Sequence, residues 1–311
     1  MDFIFPMEQR TTEIVHRSRL GLRSKIRDHK KMQHVASFFY QLYYSSVGNL
    51  HVLPDYLIIG AAKCGTSSLY EYLIQDPNIE PAIGKEINFF DMNYKKGIKW
   101  YRTYFPFSFQ KLIAKKISKN NLITGEATPR YLDHPYAPKR IKESIPSVKI
   151  IALLRNPIDR AYSHWNMMVA HNRENLSFED AIKKEDERIC GLYERMEEDE
   201  NFYSREYFWY AYLDRGIYVK KLKRWFQYLS KDQFLILQSE DFFRNPSENY
   251  NRVLKFLNLP RKELVGYKQF RKGSYKKQKI ESTTRTKLVE FFKQHNEELY
   301  KLLDTRFDWN D

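Results

Sequence analysis

The first clear hydrophobic pattern in the chain is the short apolar run Tyr56 to Ile59, bounded by Pro54 and Gly60. It reads as a strand, and Leu69, Tyr72 and Leu73 behind it fall on one face of a helix, so strand, loop and helix succeed one another. Further strands are predicted at Leu122 to Thr124, ahead of Gly125, and at Gln233 to Gln238. Another is predicted at Lys149 to Leu154, where five apolar residues follow one another as in a strand buried on both faces. Helical stretches separate these segments. The alternation predicts an α/β fold with a central, mainly parallel sheet, right-handed crossovers and flanking helices. Thr283 to Leu303 predicts a closing amphipathic helix with Leu288, Phe291, Phe292, His295, Leu299 and Leu302 in its stripe, His295 being a packed or rim residue. Residues 1–53 read as a helical N-terminal extension and 54–311 as one domain. No internal repeat, low-complexity linker or metal-type Cys/His spacing occurs.

Charge narrows the class of partner. The chain of 311 residues carries a formal net charge of +14 and 42% hydrophobic residues. That is enough for a large core, and the charge calls for an anionic partner: a nucleic acid, a membrane surface, a nucleotide or an acidic polymer. Arg261 to Lys287 holds ten Lys/Arg against two Glu, a net of +8, whereas Glu174 to Glu206 holds twelve acidic against five basic residues, a net of −7. The acidic segment reads as a solvated helix pair, with a mobile cover over a cleft as the alternative. The two cysteines, Cys64 and Cys190, argue against a disulfide framework. With no signal-peptide pattern at the N-terminus, they predict a cytoplasmic protein. Val35 to Leu53 is uncharged but too polar for a membrane span. The basic stretch Arg17 to Lys31 is expected to be a solvated helix face, with peripheral membrane contact through residues 10–53 as the alternative.

The loop after the first strand suits a phosphate. In "YLIIGAAKCGTSSLYEYL" the strand runs into Gly60, and Gly65 turns the backbone before a helix opens near Thr66. Amides at a helix N-terminus are unpaired and, with the helix dipole, attract anions. Lys63 adds a full charge, and Thr66, Ser67 and Ser68 add hydroxyls. The spacing of Gly60 and Gly65 copies the ATP-type P-loop, but Thr66 stands where that motif has lysine. An NTPase also needs an acidic residue at a strand end to hold magnesium, and "KIIALL" ends instead in Arg155, which attracts anions and repels metals. A P-loop nucleotide kinase or NTPase with an atypical loop is the runner-up. A nucleic-acid binder is disfavoured, because the basic residues gather at phosphate-type loops and not along an aromatic-studded stripe.

From Asp55 to Trp309 these ordered motifs resemble PAPS-dependent sulfotransferases (PAPS is 3'-phosphoadenosine 5'-phosphosulfate), in particular the branch of heparan sulfate N- and 3-O-sulfotransferases and their bacterial relatives. The resemblance implies a P-loop-like sulfotransferase fold over 54–311. It also implies transfer of a sulfuryl group to a hydroxyl or amine with release of PAP, and no metal. "GAAKCGTSSL" resembles the 5'-phosphosulfate loop, so Lys63, Cys64, Gly65, Thr66, Ser67 and Ser68 would hold the donor, Lys63 also assisting transfer. "LLRNPIDRAYSHW" resembles the 3'-phosphate motif, with Arg155 and Ser163 as its ligands. "FRKGSYKK" resembles the late nucleotide loop, with Arg271, Lys272, Gly273, Ser274 and Tyr275 as contacts. "KEINFFD" resembles the segment with the catalytic carboxylate, which gives Glu86 the role of base, Glu126 in "GEATP" being its rival.

Two departures bear on the acceptor. Asn88 stands where many relatives have histidine, and Ala127 where the 3-O enzymes have lysine. A carbohydrate acceptor is expected, lipid-linked and small-molecule acceptors are the alternatives, and no nucleic acid is expected. Lys85 and Arg130 are candidates to meet an acidic acceptor or plain surface charges. Trp100, Tyr101, Tyr104 and Phe105 are candidates to stack a sugar, with core packing expected for at least half of them, and His164 is expected to pack.

Overall fold

The computed structural model describes residues 41–118, 121–264, 266, 280–307 and 309. Its centre is a sheet of β1 (Tyr56–Gly60), β2 (Ile79–Pro81), β3 (Ile123–Ala127), β4 (Lys149–Leu154) and β5 (Phe234–Gln238), in the order β2-β3-β1-β4-β5. Every pairing is parallel. β1 and β4 are buried on both faces, as their unbroken apolar runs require. The chain runs from β1 outward to β2 and β3, then crosses back to β4 and β5. The direction therefore reverses between β1 and β4, and the crevice beyond their C-terminal ends is where such sheets bind ligands. Helix α1 (Thr66–Leu73) follows β1, and α2 (Pro157–Ala170) follows β4.

Two expectations need correction, and one strand carried no expectation. β3 does not stop before Gly125 but runs through it to Ala127. Gly125 is there for close approach: a Cβ would lie 2.5 Å from the Tyr56 carbonyl oxygen on β1. β2, a three-residue edge strand ending in Pro81, was too short to carry a pattern. The acidic segment is no solvated helix pair. It folds into short helices around a small core of Met196, Tyr207, Phe208 and Ala211. Arg140 Nη2 donates to the Glu200 carbonyl at 2.7 Å and the Tyr136 hydroxyl to the Glu197 carbonyl at 2.6 Å, which ties it to the chain that follows β3.

The closing helix, α3 (Ser282–Leu303), buries Leu288, Phe292, Asn296 and Leu299, so its core stripe is rotated from the expected one. Phe291 is exposed and His295 lies at the rim. Of the N-terminal extension, residues 41–47 are helical and Gly48–Leu50 forms a 3-10 turn. Residues 1–40, and with them most of the 10–53 segment, lie outside the described residues. Among the described residues no helix is long and apolar enough to cross a membrane.

Candidate active site

The phosphate loop sits at the switch point. Ala61 donates its amide to the Leu153 carbonyl on β4 at 2.7 Å, which fixes the loop across the β1–β4 boundary. Gly65 caps α1 with φ 97°, left-handed backbone that favours glycine, and a Cβ there would meet the Phe243 ring at 2.9 Å. No side chain caps α1, so the amides of its first turn face the loop. Lys63 is half-buried within the loop. Arg155, at the end of β4, reaches the same loop: its Nη1 lies 3.4 Å from the Lys63 carbonyl oxygen. The geometry therefore brings Lys63, Thr66, Ser67 and Arg155 to one anion-attracting corner.

Residues not singled out in the sequence hold that corner. Asn156 caps α2 by accepting from Ile158 N at 2.9 Å, and its own amide donates to Glu240 Oε1 at 2.8 Å. Glu240 Oε2 also accepts from Trp309 Nε1 at 3.2 Å, drawing the C-terminal end of the domain against the nucleotide motif. The Tyr218 hydroxyl donates to the Arg155 carbonyl at 2.8 Å. Cys64, a candidate donor contact, has both its thiol and its amide engaged within the protein. It is fully buried, with Sγ 3.9 Å from Tyr218 Oη, and its amide closes a turn onto Ala61 O, so it contributes packing to the loop. Burial pushes its thiol up to about 11, against the pull of Arg160 and Arg155, which keeps it protonated. Ser163 is buried in the second turn of α2, and Ser68 is buried in α1. Arg271, Lys272, Gly273, Ser274 and Tyr275 lie outside the described residues.

The segment that carries Glu86 is built on the end of β3. Glu86 and Asn88 both have left-handed backbone, φ 55° and 53°. The Glu86 amide donates to the Ala127 carbonyl at 3.2 Å, and Phe89 N donates to the Tyr131 hydroxyl at 2.8 Å. Beneath them Glu126 is fully buried. It accepts from Tyr101 at 2.6 Å and Tyr131 at 2.9 Å on one oxygen, and from Thr128 at 2.6 Å on the other. Burial raises its pKa, and the three hydroxyls and the Ile87 amide offset that only in part. With its oxygens so engaged, Glu126 is a scaffold for the 86–90 segment, while Glu86 is half-buried.

Asp91, in the same segment, was not singled out. It is buried, neither carboxylate oxygen makes a well-formed hydrogen bond, and burial pushes it up to about 7, eased in part by the Met92 amide and the charge of Arg130. Only its place in a quoted motif could have flagged it.

The remaining candidates are mostly packing. Trp100, Tyr101 and Phe105 are core residues, Tyr101 stacking on Phe89 at 4.4 Å, and Tyr104 packs partly buried against them. His164 is fully buried edge-on to Tyr212, and burial, with Arg215, Arg160 and Lys63 pushing the same way, holds it neutral.

A family model described as the sulfotransferase domain matches residues 53–309. The chain belongs to that family. Among its relatives, heparan sulfate glucosamine 3-O-sulfotransferase 3B1 of Homo sapiens is 32% identical over 209 residues, 67% of this chain and 47% of that protein. The bifunctional heparan sulfate N-deacetylase/N-sulfotransferase 1 of Caenorhabditis elegans is 31% identical over 67% of this chain and 22% of its own length. The chain thus spans less than half of either. Membrane-associated sulfotransferase kil1 of Dictyostelium discoideum is 25% identical, covering 85% of this chain and 68% of that one. A solved sulfotransferase from Alicyclobacillus acidocaldarius shares the fold at TM-score 0.64 and 28% identity, covering 84% of this chain and all of that one. Sulfotransferase membership, with Arg155 in the metal-binding position, removes the grounds for the kinase reading.

Proposed function

We propose that this sulfotransferase-family chain moves a sulfuryl group from PAPS to a hydroxyl or amine of a carbohydrate, releasing PAP. The observation that carries the reading is Arg155 at the end of β4, in contact with the phosphate loop where an NTPase would place a metal-binding acid. The donor's 5' end lies against Lys63, Thr66, Ser67 and the first-turn amides of α1, and its 3'-phosphate against Arg155 and Ser163. Glu86 takes the proton of the acceptor. A bond forms from the acceptor oxygen or nitrogen to sulfur, the bond from sulfur to the 5'-phosphate oxygen breaks, and PAP leaves with the electron pair. Lys63 and the loop amides stabilise the charge gathering on that leaving phosphate. No metal takes part, since a lysine, an arginine and a helix N-terminus already oppose the donor's charge. The heparan-modifying relatives favour a glycan acceptor, and the relative named as membrane-associated keeps peripheral attachment through residues 10–53 within the proposal.

Calorimetric titration tests the donor half. PAP is expected to bind more tightly than ADP and equally well with or without magnesium; a preference for ADP with magnesium would refute it. Transfer of labelled sulfate from PAPS to a panel of glycans, lipids and small alcohols tests the rest. Glu86→Gln is expected to bind PAP as the wild type does and to lose most turnover. An active Glu86→Gln enzyme would reassign the base.

A further inference from the structure

Beyond the end of β3 a recess of about 150 Å³ opens between the acceptor-side segment and the acidic excursion. Arg130, Arg173 and Arg205 converge on it, with Tyr203, Phe208 and Trp209 as its aromatic walls. Whole small-molecule pockets run to about 300–1,000 Å³, so this one has room for a single charged group.

Arg130 and Arg173 are held by aromatic neighbours but not neutralised. Arg130 Nη1 donates to the Tyr203 hydroxyl at 2.9 Å, and its guanidinium lies 5.6 Å from the Phe208 ring centre. The Arg173 guanidinium lies 4.5 Å from the Trp209 ring centre. Such contacts fix a guanidinium plane without cancelling its charge. Among the described residues, none of the three has a carboxylate within ion-pair distance. That is notable because Arg173 directly precedes, and Arg205 lies at the end of, the stretch with twelve acidic residues. Three of those acids are engaged elsewhere: Glu174 pairs with Arg188, Glu197 with Arg224, and Glu185 accepts from the amides of Leu213 and Asp214; none of the twelve lines the recess. Arg130 acts at longer range on buried Asp91, but no carboxylate lines the recess, so three like charges gathered there suit it to an anion.

Its location decides which anion. Met92 also lines the recess, and it directly follows Asp91 in the segment that carries Glu86. Arg140 joins that segment to the excursion, donating to Phe90 O at 2.9 Å and to Glu200 O at 2.7 Å. The recess therefore belongs to the acceptor side, while the donor phosphates have the loop and Arg155. We propose that Arg130, Arg173 and Arg205 form an acceptor subsite that grips one carboxylate or sulfate of a sugar next to the reacting one. This rests on the sulfotransferase reading and makes its acceptor an already anionic glycan.

The test is calorimetric binding of a heparin-derived octasaccharide, with and without saturating PAP, to the wild type, R173Q/R205Q and K115Q/K116Q. The last pair carries exposed charges on the helix Ser108–Ser118, near the N-terminal ends of the strands, and controls for general attraction. The expected result is a loss of affinity of at least about tenfold in R173Q/R205Q, no more than about twofold in K115Q/K116Q, and PAP affinity unchanged in both. Octasaccharide binding that is absent in the wild type, equal in R173Q/R205Q, or lowered equally in both variants would overturn the subsite. Failure of the wild type to bind PAP would instead overturn the donor reading, and the octasaccharide arm without PAP would still decide the subsite.

Discussion

Replacing Glu126 by alanine separates scaffold from catalyst. The substitution removes the acceptor for three buried hydroxyls, those of Tyr101, Tyr131 and Thr128. Each buried donor left unpaired costs about 1–3 kcal/mol. Water entering the vacated space would satisfy some of them, and the cost of burying a charge is removed, so the net falls toward the lower end, about 3 kcal/mol. In urea unfolding at pH 7 this is a drop in midpoint of about 1–3 M at an ordinary slope. Glu86→Gln, by contrast, changes a half-buried carboxylate and should leave the unfolding free energy within about 0.5 kcal/mol of the wild type. The two variants should thus fail in different ways, one by unfolding and the other by losing turnover while folded. A Glu126→Ala protein as stable as the wild type but without turnover would refute the scaffold assignment and return Glu126 to the chemistry.

Two further outcomes follow from the same geometry. Lys63→Ala removes a charge-assisted contact to the donor, worth about 1.5–3 kcal/mol, so PAP affinity measured by calorimetry should fall roughly 10- to 150-fold, and an unchanged affinity would remove Lys63 from the donor site. Burial raises Asp91 from 3.8 to about 7, so the stability it contributes is present below pH 4 and lost as pH climbs toward 7. The unfolding free energy of the wild type minus that of Asp91→Asn should therefore decline between pH 4 and pH 7 and level off above, and a flat difference would contradict a buried, strained carboxylate.

How much of this was legible in the sequence depended on range. β1 and β4 announced themselves because strands buried on both faces need unbroken apolar runs, and the loop did so because anion binding at a helix N-terminus needs glycine, lysine and hydroxyls within nine residues. Arg155 was readable for a related reason: it directly ends a strand whose pattern was plain. Gly125 misled because a glycine inside a strand looks like punctuation until Tyr56 is seen against it. The Glu126 network and the Glu240 bridge between Asn156 and Trp309 join residues up to 153 positions apart, and no local pattern encodes such pairings.

The acidic excursion shows the same limit in a more consequential form. Counted along the chain, it is a stretch of net −7 and suggests a surface that repels anions. Folded, three of its carboxylates turn to Arg188, Arg224 and backbone amides, while Arg173 and Arg205 near its two ends meet Arg130 from the turn after β3. Net charge averaged over a segment therefore gives the wrong sign for the one face that meets the acceptor side. What governs recognition is which charges line a given recess after folding, and in this one those are arginines. On that reasoning, neutralising exposed acids of the excursion, Glu198 for example, should change octasaccharide affinity far less than neutralising Arg173 and Arg205, even though each such change makes the protein more basic.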